Sequence, residues 1–164
     1  MLKYKMKQYI LMSDVINSGS KDAQRLSNHL SKCTAYINEK YRDEIFSPLT
    51  ITLGDEFQSV IGDLETSIKI IIDIEEYVVK NNYDMKLRYV LFFGEIETAI
   101  NRDIAYGMLG LGLTTARNLI NNMKSSEYRF KIEIGNQDLN ILLNNGFNIY
   151  QNIVDKWKID RDYV

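Results

Sequence analysis

The sequence predicts an α+β fold, an α/β sandwich with a ferredoxin-like βαββαβ core and a mostly antiparallel sheet, extended by a further helix, strand and helix. Apolar segments with helical and strand periodicity alternate along the chain. A Gly-Asp turn joins two short strands near position 54, and no linker, repeat or low-complexity tract interrupts the order. The 164 residues are enough to bury one core.

The first strand and helix are predicted from the N-terminal third of the chain. Residues 8–14 (QYILMSD) form a short apolar run that ends in a polar loop, as buried strands do. From 21 to 41, apolar residues recur in steps of three and four, which marks one face of a helix. Either Ser18 or Ser20 is expected to be the N-cap of that helix.

A hairpin, a second helix and a long strand follow. The segments PLTITLG and EFQSVIG read as two strands that meet at Gly54-Asp55. Apolar positions from Leu64 to Val79 outline a helix that Asn81-Asn82 closes, and residues 85–100 are the strongest strand of the chain. In this βαββαβ order the helices are expected on one face of the sheet.

The remaining elements extend that core. A glycine-rich segment, YGMLGLGLTTARNLINNM, leads into a third helix that ends near Met123. Residues 128–135 alternate and predict a last strand, and residues 136–157 predict a helix that contains Gly146. We therefore divide the chain into a main domain, 1–135, and a C-terminal helical segment, 136–164, packed on it or extending from it.

Composition narrows the classes of function. The formal net charge of −2 gives no broad attraction to nucleic acid or to an anionic membrane. One His and one Cys rule out a zinc site of soft ligands, so a metal would be a hard ion held by carboxylates. The lone Cys33 suits a reducing compartment, and no apolar stretch approaches the roughly 18 residues of a spanning helix. We expect a cytoplasmic protein without a membrane segment.

The predicted topology brings two carboxylates together. The first and third strands of a ferredoxin-like sheet are central, adjacent and antiparallel. Asp14 ends the first strand and Asp55 begins the third, so both lie at one edge of the sheet, on strands ~5 Å apart. Two carboxylates at that distance repel unless they share a cation, and Mg²⁺ accepts one or two carboxylates together with phosphate oxygens.

The loop after Asp14 adds features that favour an anion. Residues Val15, Ile16, Asn17 and Ser18 run from the strand end toward a helix N-terminus, where free N–H groups and the helix dipole attract phosphate. Simpler interpretations remain open, because Gly-Asp is a common turn and a strand-end Asp can cap its own loop. Together, the two carboxylates and the loop predict a site for a metal and a phosphate.

At these residues the sequence resembles the SatD family of bacterial proteins. The matching segments are SDVINSGS, ITLGDEFQSVIG, LRYVLFFGEIET and YGMLGLGLTTAR, which together span nearly the whole chain. More distantly, it resembles the palm-type catalytic domain of class III nucleotidyl cyclases and of GGDEF diguanylate cyclases. In class III cyclases an Asp-Ile-x-x-Ser strand end and a Gly-Asp hairpin carry two metal-binding aspartates, which the DVINS segment and Gly54-Asp55 resemble.

The resemblance implies a set of site residues. Asp14, the Val15 carbonyl and Asp55 would hold two Mg²⁺ ions, or Mn²⁺, on a nucleoside triphosphate, with Arg117 stabilising the transition-state phosphate. It also implies nucleotide contacts for Ile16, Asn17, Ser18, Gly54, Glu56 and Gly94. For Glu56 the alternative is a solvated strand residue, and for Gly94 a bulge or bend. Catalytic residues would then be Asp14, Asp55 and Arg117.

One half of the cyclase pattern is missing. Class III cyclases carry an Asn four residues before the Arg that Arg117 resembles, and Leu113 stands at that position. Two functions therefore remain: a Mg²⁺-dependent nucleotide-binding domain with cyclase or related phosphoryl-transfer activity, or an inactive regulatory module that senses nucleotide or binds a protein partner.

The resemblance also bears on partners. Cyclases of this kind usually complete each site across a dimer interface, which implies a homodimer. SatD-like proteins tend to continue into a segment that resembles helix-turn-helix domains. Residues 136–164 would be only the beginning of such a segment. Because the chain as given then contains no complete DNA-binding module, we expect no direct nucleic-acid binding by it.

Overall fold

The computed structural model describes residues 5–157 of the chain. Its strands are β1 (Met6–Val15), β2 (Ile45–Ile51), β3 (Glu56–Ile61), β4 (Leu87–Ile96) and β5 (Phe130–Glu133). Its helices are α1 (Ala23–Lys40), α2 (Leu64–Lys80), α3 (Leu111–Asn122) and α4 (Gln137–Val154). Two 3-10 turns cover Ser18–Ser20 and Met123–Ser125.

The five strands form one mixed sheet in the order β2-β3-β1-β4-β5. β1 pairs antiparallel with both β3 and β4, and β2 pairs antiparallel with β3. β5 joins the outer edge of β4 as a parallel strand. The α+β fold and the ferredoxin-like core that the sequence predicts are therefore confirmed, with β1 and β3 as adjacent central strands.

Helices cover both faces of the sheet. On one face Leu11 of β1 packs with Leu30 of α1, Ile74 of α2 and Phe147 of α4. On the other face a second apolar cluster joins β1 to α3, for example through Ile120. The expectation that the helices of the βαββαβ core lie on one face is confirmed for α1 and α2. The additional helix α3 covers the opposite face, because β1 is apolar on both sides and its second face must also be covered.

The N-terminus of α1 differs from the predicted one. Asp22 is the N-cap, and its carboxylate accepts a hydrogen bond from the Arg25 amide at 3.1 Å. Ser18 and Ser20 lie in the preceding 3-10 turn, where the Ser20 hydroxyl donates to the Asn17 carbonyl. The predicted serine cap is wrong because the acidic side chain takes the orphan amide.

The C-terminal helix α4 packs on β5. The rings of Phe130 and Phe147 stack with centroids 5.0 Å apart. Buried Arg129, directly before β5, donates to Asp155 at the C-terminal end of α4 at 2.7 Å. Gly146 does not interrupt α4. The last seven residues of the predicted 136–164 segment lie outside the described residues. Between residues 5 and 157, no helix is both long and apolar enough to cross a membrane.

The contact between α3 and β4 depends on two glycines. A Cβ on Gly112 of α3 would come within 2.7–2.8 Å of backbone atoms of Gly94 and Glu95, which is closer than such atoms approach. Glycine at both positions therefore lets the helix lie directly on the strand. Gly94 is consequently covered by α3.

Replacing Gly112 with Ala is expected to destabilise the protein. The new methyl group must displace β4 backbone, and overpacking of this kind costs about 1–3 kcal/mol, more than the roughly 1 kcal/mol that Ala contributes in a helix. The control is Gly146→Ala in α4, where the added Cβ meets nothing within 4 Å and stability should rise slightly. Urea unfolding measures both, and equal effects of the two substitutions would contradict the close α3–β4 contact.

Candidate functional site

The candidate site begins with a row of charged residues across three strands. Asp14 of β1 is directly opposite Glu56 of β3 on one side and Arg88 of β4 on the other. All three are buried. Residues opposite each other on neighbouring strands project from the same face of a sheet. Met12 lies two residues before Asp14 on β1, so the two share a face, and Met12 packs under α3. The row of three charged residues therefore faces α3.

Asp14 and Arg88 form a buried ion pair. The Arg88 Nη1 donates to both carboxylate oxygens of Asp14, at 2.8 and 3.0 Å. Burial raises the pKa of Asp14 above its ordinary value, while the positive charges of Arg88 and Lys124 oppose that shift. The Arg88 Nε is also buried and has no hydrogen-bond partner among the described residues. Asp14 is thus a buried carboxylate whose charge is balanced mainly by one guanidinium.

Two further cations reach the row from α3 and from the 3-10 turn that follows it. Arg117 of α3 donates to the Glu56 carboxylate. Lys124 places its Nζ 3.7 Å from Asp14 Oδ2 and 3.9 Å from Glu56 Oε1. We call these five residues, Asp14, Glu56, Arg88, Arg117 and Lys124, the charge cluster.

Asp55 lies beside the charge cluster but makes different contacts. Its carbonyl accepts from the Val15 amide at 2.9 Å, which joins the hairpin to the end of β1. Its carboxylate accepts from the Ser18 hydroxyl at 2.5 Å. Gly54 has φ +84°, a left-handed conformation that favours glycine, so it shapes the turn that presents Asp55.

The loop after Asp14 folds back on its surroundings. The Ile16 amide donates to the Lys86 carbonyl at 2.8 Å, and Asn17 adopts a left-handed conformation with φ 56°. These contacts orient Ser18 toward Asp55. The structure therefore brings together several residues predicted for the site: Asp14, Val15, Ser18, the Gly54–Glu56 turn and Arg117.

A cleft of about 780 Å³ opens between α3, the β2–β3 hairpin and the loop before α3. Glu56, Arg117 and Lys124 line one part of it, and the exposed lining is mainly apolar. The other lining residues are Met12, Thr52, Leu53, Gln58, Tyr106, Gly107, Met108, Leu109, Leu113, Thr114 and Asn121. The cleft thus combines ionic groups with an apolar surface, and Leu113 is part of that surface.

Two residues of the charge cluster have no role in the prediction from sequence. Arg88 belongs to the site only because the β1–β4 register sets it opposite Asp14. Lys124 follows the end of α3 and reaches the strands only through the packing of that helix. An antiparallel count from Asp14 along the β4 strand would have found Arg88, whereas no local pattern marks Lys124.

The donors of the site suit a hard cation under one condition. The carboxylates of Asp14, Asp55 and Glu56 supply oxygen ligands of the kind that Mg²⁺ prefers. Within the described part of the chain, however, no three Asp, Glu, His or Cys side chains converge as a metal cluster. Asp14 and Glu56 already pair with protein cations. A metal held by these carboxylates would therefore need further oxygen ligands, such as those of a phosphate group.

Comparisons with known proteins agree with this fold. The family model described as "SatD family" matches residues 9–164, so the chain belongs to the SatD family. No curated protein sequence matches the chain.

Among solved structures, the guanylyl cyclase domain of the RhoGC fusion protein of the aquatic fungus Blastocladiella emersonii is similar. Its TM-score is 0.56 at 18% identity, over 78% of this chain and 82% of that one. A rhodopsin-guanylyl cyclase core with converted specificity, in complex with ATPalphaS, has a TM-score of 0.54 at 16% identity, over 78% and 79%. The guanylyl cyclase Cya2 has 0.53 at 12% identity, over 74% and 73%. These similarities show a cyclase-like fold.

Replacing Arg88 with Met is expected to destabilise the protein by an amount that depends on pH. Loss of the guanidinium raises the folded-state pKa of Asp14 further, and breaking a buried pair costs about 3–5 kcal/mol when the remaining partner is charged. A carboxyl with a raised folded-state pKa stabilises the protein at low pH and loses that contribution as the pH rises through this pKa. The variant should therefore be nearest to the parent in acid and furthest from it at neutral pH.

Urea unfolding at a series of pH values measures this effect. The control is Arg42→Met, because Arg42 pairs with Glu39 on an exposed part of the surface. The control should follow the parent at every pH. A stability difference for Arg88→Met that does not change with pH would mean that Asp14 is not the group left unpaired.

Proposed function

We propose that this SatD-family protein is a Mg²⁺- or Mn²⁺-dependent nucleoside triphosphate-binding domain whose site is the cleft beside α3. One observation carries the proposal: Glu56, Arg117 and Lys124 line one part of a cleft with an apolar lining, and the buried Asp14, opposite Glu56 on β1, lies 3.7 Å from the Lys124 Nζ. A nucleotide presents both corresponding surfaces, a charged phosphate chain and a flat base.

The charged part of the cleft suits the phosphates. Arg117 and Lys124 can donate to phosphate oxygens, since their side chains are 31% and 52% exposed and can reorient. The carboxylates of Asp14 and Asp55, with the Val15 carbonyl, are the proposed metal ligands, and Glu56 is a further candidate. A bound metal ion would neutralise phosphate charge. Ser18 would hold the Asp55 carboxylate in place.

The apolar part of the cleft suits the base. Met12, Met108 and Leu113 supply apolar surface for a flat ring, and Thr52 and Gln58 supply polar atoms at its margin. The Thr52 hydroxyl is buried and has no hydrogen-bond partner among the described residues. Gly94, by contrast, is covered by α3 and is left out of this proposed contact.

The proposed nucleotide-binding domain is either an enzyme, which converts the bound nucleotide to a product, or a regulatory module, which does not. The cyclase-like fold and Arg117 favour nucleotidyl cyclase or related phosphoryl-transfer chemistry. Leu113 favours the alternative, a regulatory module that senses nucleotide or binds a protein partner, because its apolar side chain cannot hydrogen-bond a ribose hydroxyl. Product analysis by chromatography after incubation with each triphosphate and Mn²⁺ distinguishes an enzyme from a sensor.

Calorimetric titration tests the binding itself. With ATP, GTP, CTP and UTP, each with and without Mg²⁺, the parent should bind at least one triphosphate in a metal-dependent way. Asp55→Asn should weaken that binding by about tenfold or more, since even outer-shell partners of metal ligands are worth about 10–100-fold. The matched control is Asp43→Asn, which changes an exposed residue in the turn before β2 and should bind as the parent does. Binding that ignores both the metal and Asp55 would refute the proposed function.

We further propose that the protein acts as a homodimer that closes the cleft. Three apolar side chains at the mouth of the cleft are mostly exposed: Leu53 at 72%, Tyr106 at 64% and Leu109 at 69%. They come from the β2–β3 hairpin tip and the loop before α3. A second copy packed against them would bury these side chains and would supply polar groups that Leu113 does not.

Leu109→Glu should shift the protein toward the monomer, because a charge at the interface is costly to desolvate. Sedimentation velocity at several protein concentrations measures this shift. The control is Leu142→Glu on α4, which changes a similarly exposed residue outside the cleft and should leave the association unchanged. A parent that sediments as a monomer at every concentration would argue against the dimer.

A further inference from the structure

Lys124 places its ammonium group close to two buried carboxylates. Its Nζ lies 3.7 Å from Asp14 Oδ2 and 3.9 Å from Glu56 Oε1, and these two carboxylates are directly opposed across β1 and β3. Both distances exceed those of a hydrogen bond, so the ammonium group interacts with the two carboxylates by charge alone. A single protein cation thus bridges two buried acids from the cleft side.

In the charge cluster the bases outnumber the acids. It contains two acids, Asp14 and Glu56, and three bases, Arg88, Arg117 and Lys124, so its formal net charge is +1. A free divalent cation that approached the carboxylates would meet this positive field at short range. A triphosphate brings several negative charges to the same place, and it reverses the balance.

The three bases of the charge cluster differ in how easily each can move away from the carboxylate that it neutralises. Arg88 is buried and donates to both oxygens of Asp14, so it stays with that carboxylate. The Arg117 side chain is 31% exposed and hydrogen-bonds Glu56. The Lys124 side chain is 52% exposed and has no hydrogen bond to either acid. With a flexible four-carbon stem, Lys124 is the base that can move with the least loss.

We propose that Lys124 is a tethered counter-cation that keeps free divalent metal out of the Asp14–Glu56 position and moves to the phosphates when a nucleotide binds. The metal and the nucleotide then bind cooperatively, because the phosphates draw Lys124 away from the carboxylates that the metal needs. This proposal deepens the proposed function and rests on it for the nucleotide half.

Lys124→Met tests the proposal, because it removes the charge and keeps most of the aliphatic chain. Titration of Mn²⁺ without nucleotide, followed by the electron paramagnetic resonance signal of the free ion, should show binding tighter than in the parent by on the order of tenfold, the effect of removing one like charge about 4 Å from the ion. Nucleotide binding should weaken, and the factor by which Mn²⁺ and nucleotide strengthen each other's binding should fall.

Two further variants separate charge from structure. Lys124→Arg keeps the positive charge and should leave the free Mn²⁺ affinity close to that of the parent. Lys131→Met removes a similarly exposed lysine of β5, whose Nζ lies 3.9 Å from Glu133 Oε2, and should change neither affinity. Free Mn²⁺ affinity in Lys124→Met within twofold of the parent would overturn the proposal.

The Mn²⁺ and nucleotide titrations also test the role of Lys124 separately from the proposed function. If the parent binds no triphosphate, the proposed function and the nucleotide half of this proposal both fail. The free Mn²⁺ titration still decides whether Lys124 shields the two carboxylates. An increase in Mn²⁺ affinity without any nucleotide binding would support the shielding and overturn the cooperative release.

Discussion

The register of the central strand β1 is the constraint on which the candidate site depends. It places Asp14 between Glu56 on β3 and Arg88 on β4, so that one buried row holds two acids and one base. A shift of one residue would turn Asp14 toward the α1 and α2 face, because side chains alternate along a strand. The apolar residues of β1 on both faces oppose such a shift, since each one already fills a core.

The second face of the sheet converts this row into a cleft. Gly94 and Gly112 let α3 lie against β4 at a distance that no larger side chain would permit. At that distance Arg117 reaches Glu56, and Lys124 reaches both acids from the turn after the helix. A close-packed glycine contact thus positions charges that are far from it in the chain.

The electrostatic balance of the cleft is the physical basis for proposing that a metal and a nucleotide bind together. Burial disfavours the charged form of Asp14, and this is the physical cause of its raised pKa. The surrounding cations offset that cost, but they also compete with any metal for the same oxygens. In the proposal, a ligand with several negative charges would pair with the cations and free the carboxylates, which neither a free metal nor a neutral ligand would do.

By itself, the sequence determined the order of elements, the ferredoxin-like core and the neighbourhood of Asp14 and Asp55, because periodicity and strand order are local or nearly local properties. It also supplied the resemblance to the SatD family. It did not reveal the Asp22 cap, since several polar residues near the start of α1 were plausible caps.

Only the tertiary structure showed which charged residues meet at the site. The cross-strand partner of Asp14 is Glu56, while the Asp55 carboxylate accepts from Ser18, and this difference depends on which way each side chain leaves its strand. Arg88 and Lys124 join the acids through the β1–β4 register and the packing of α3. Interactions of this kind join residues up to 110 positions apart, as between Asp14 and Lys124, so no local pattern in the chain contains them.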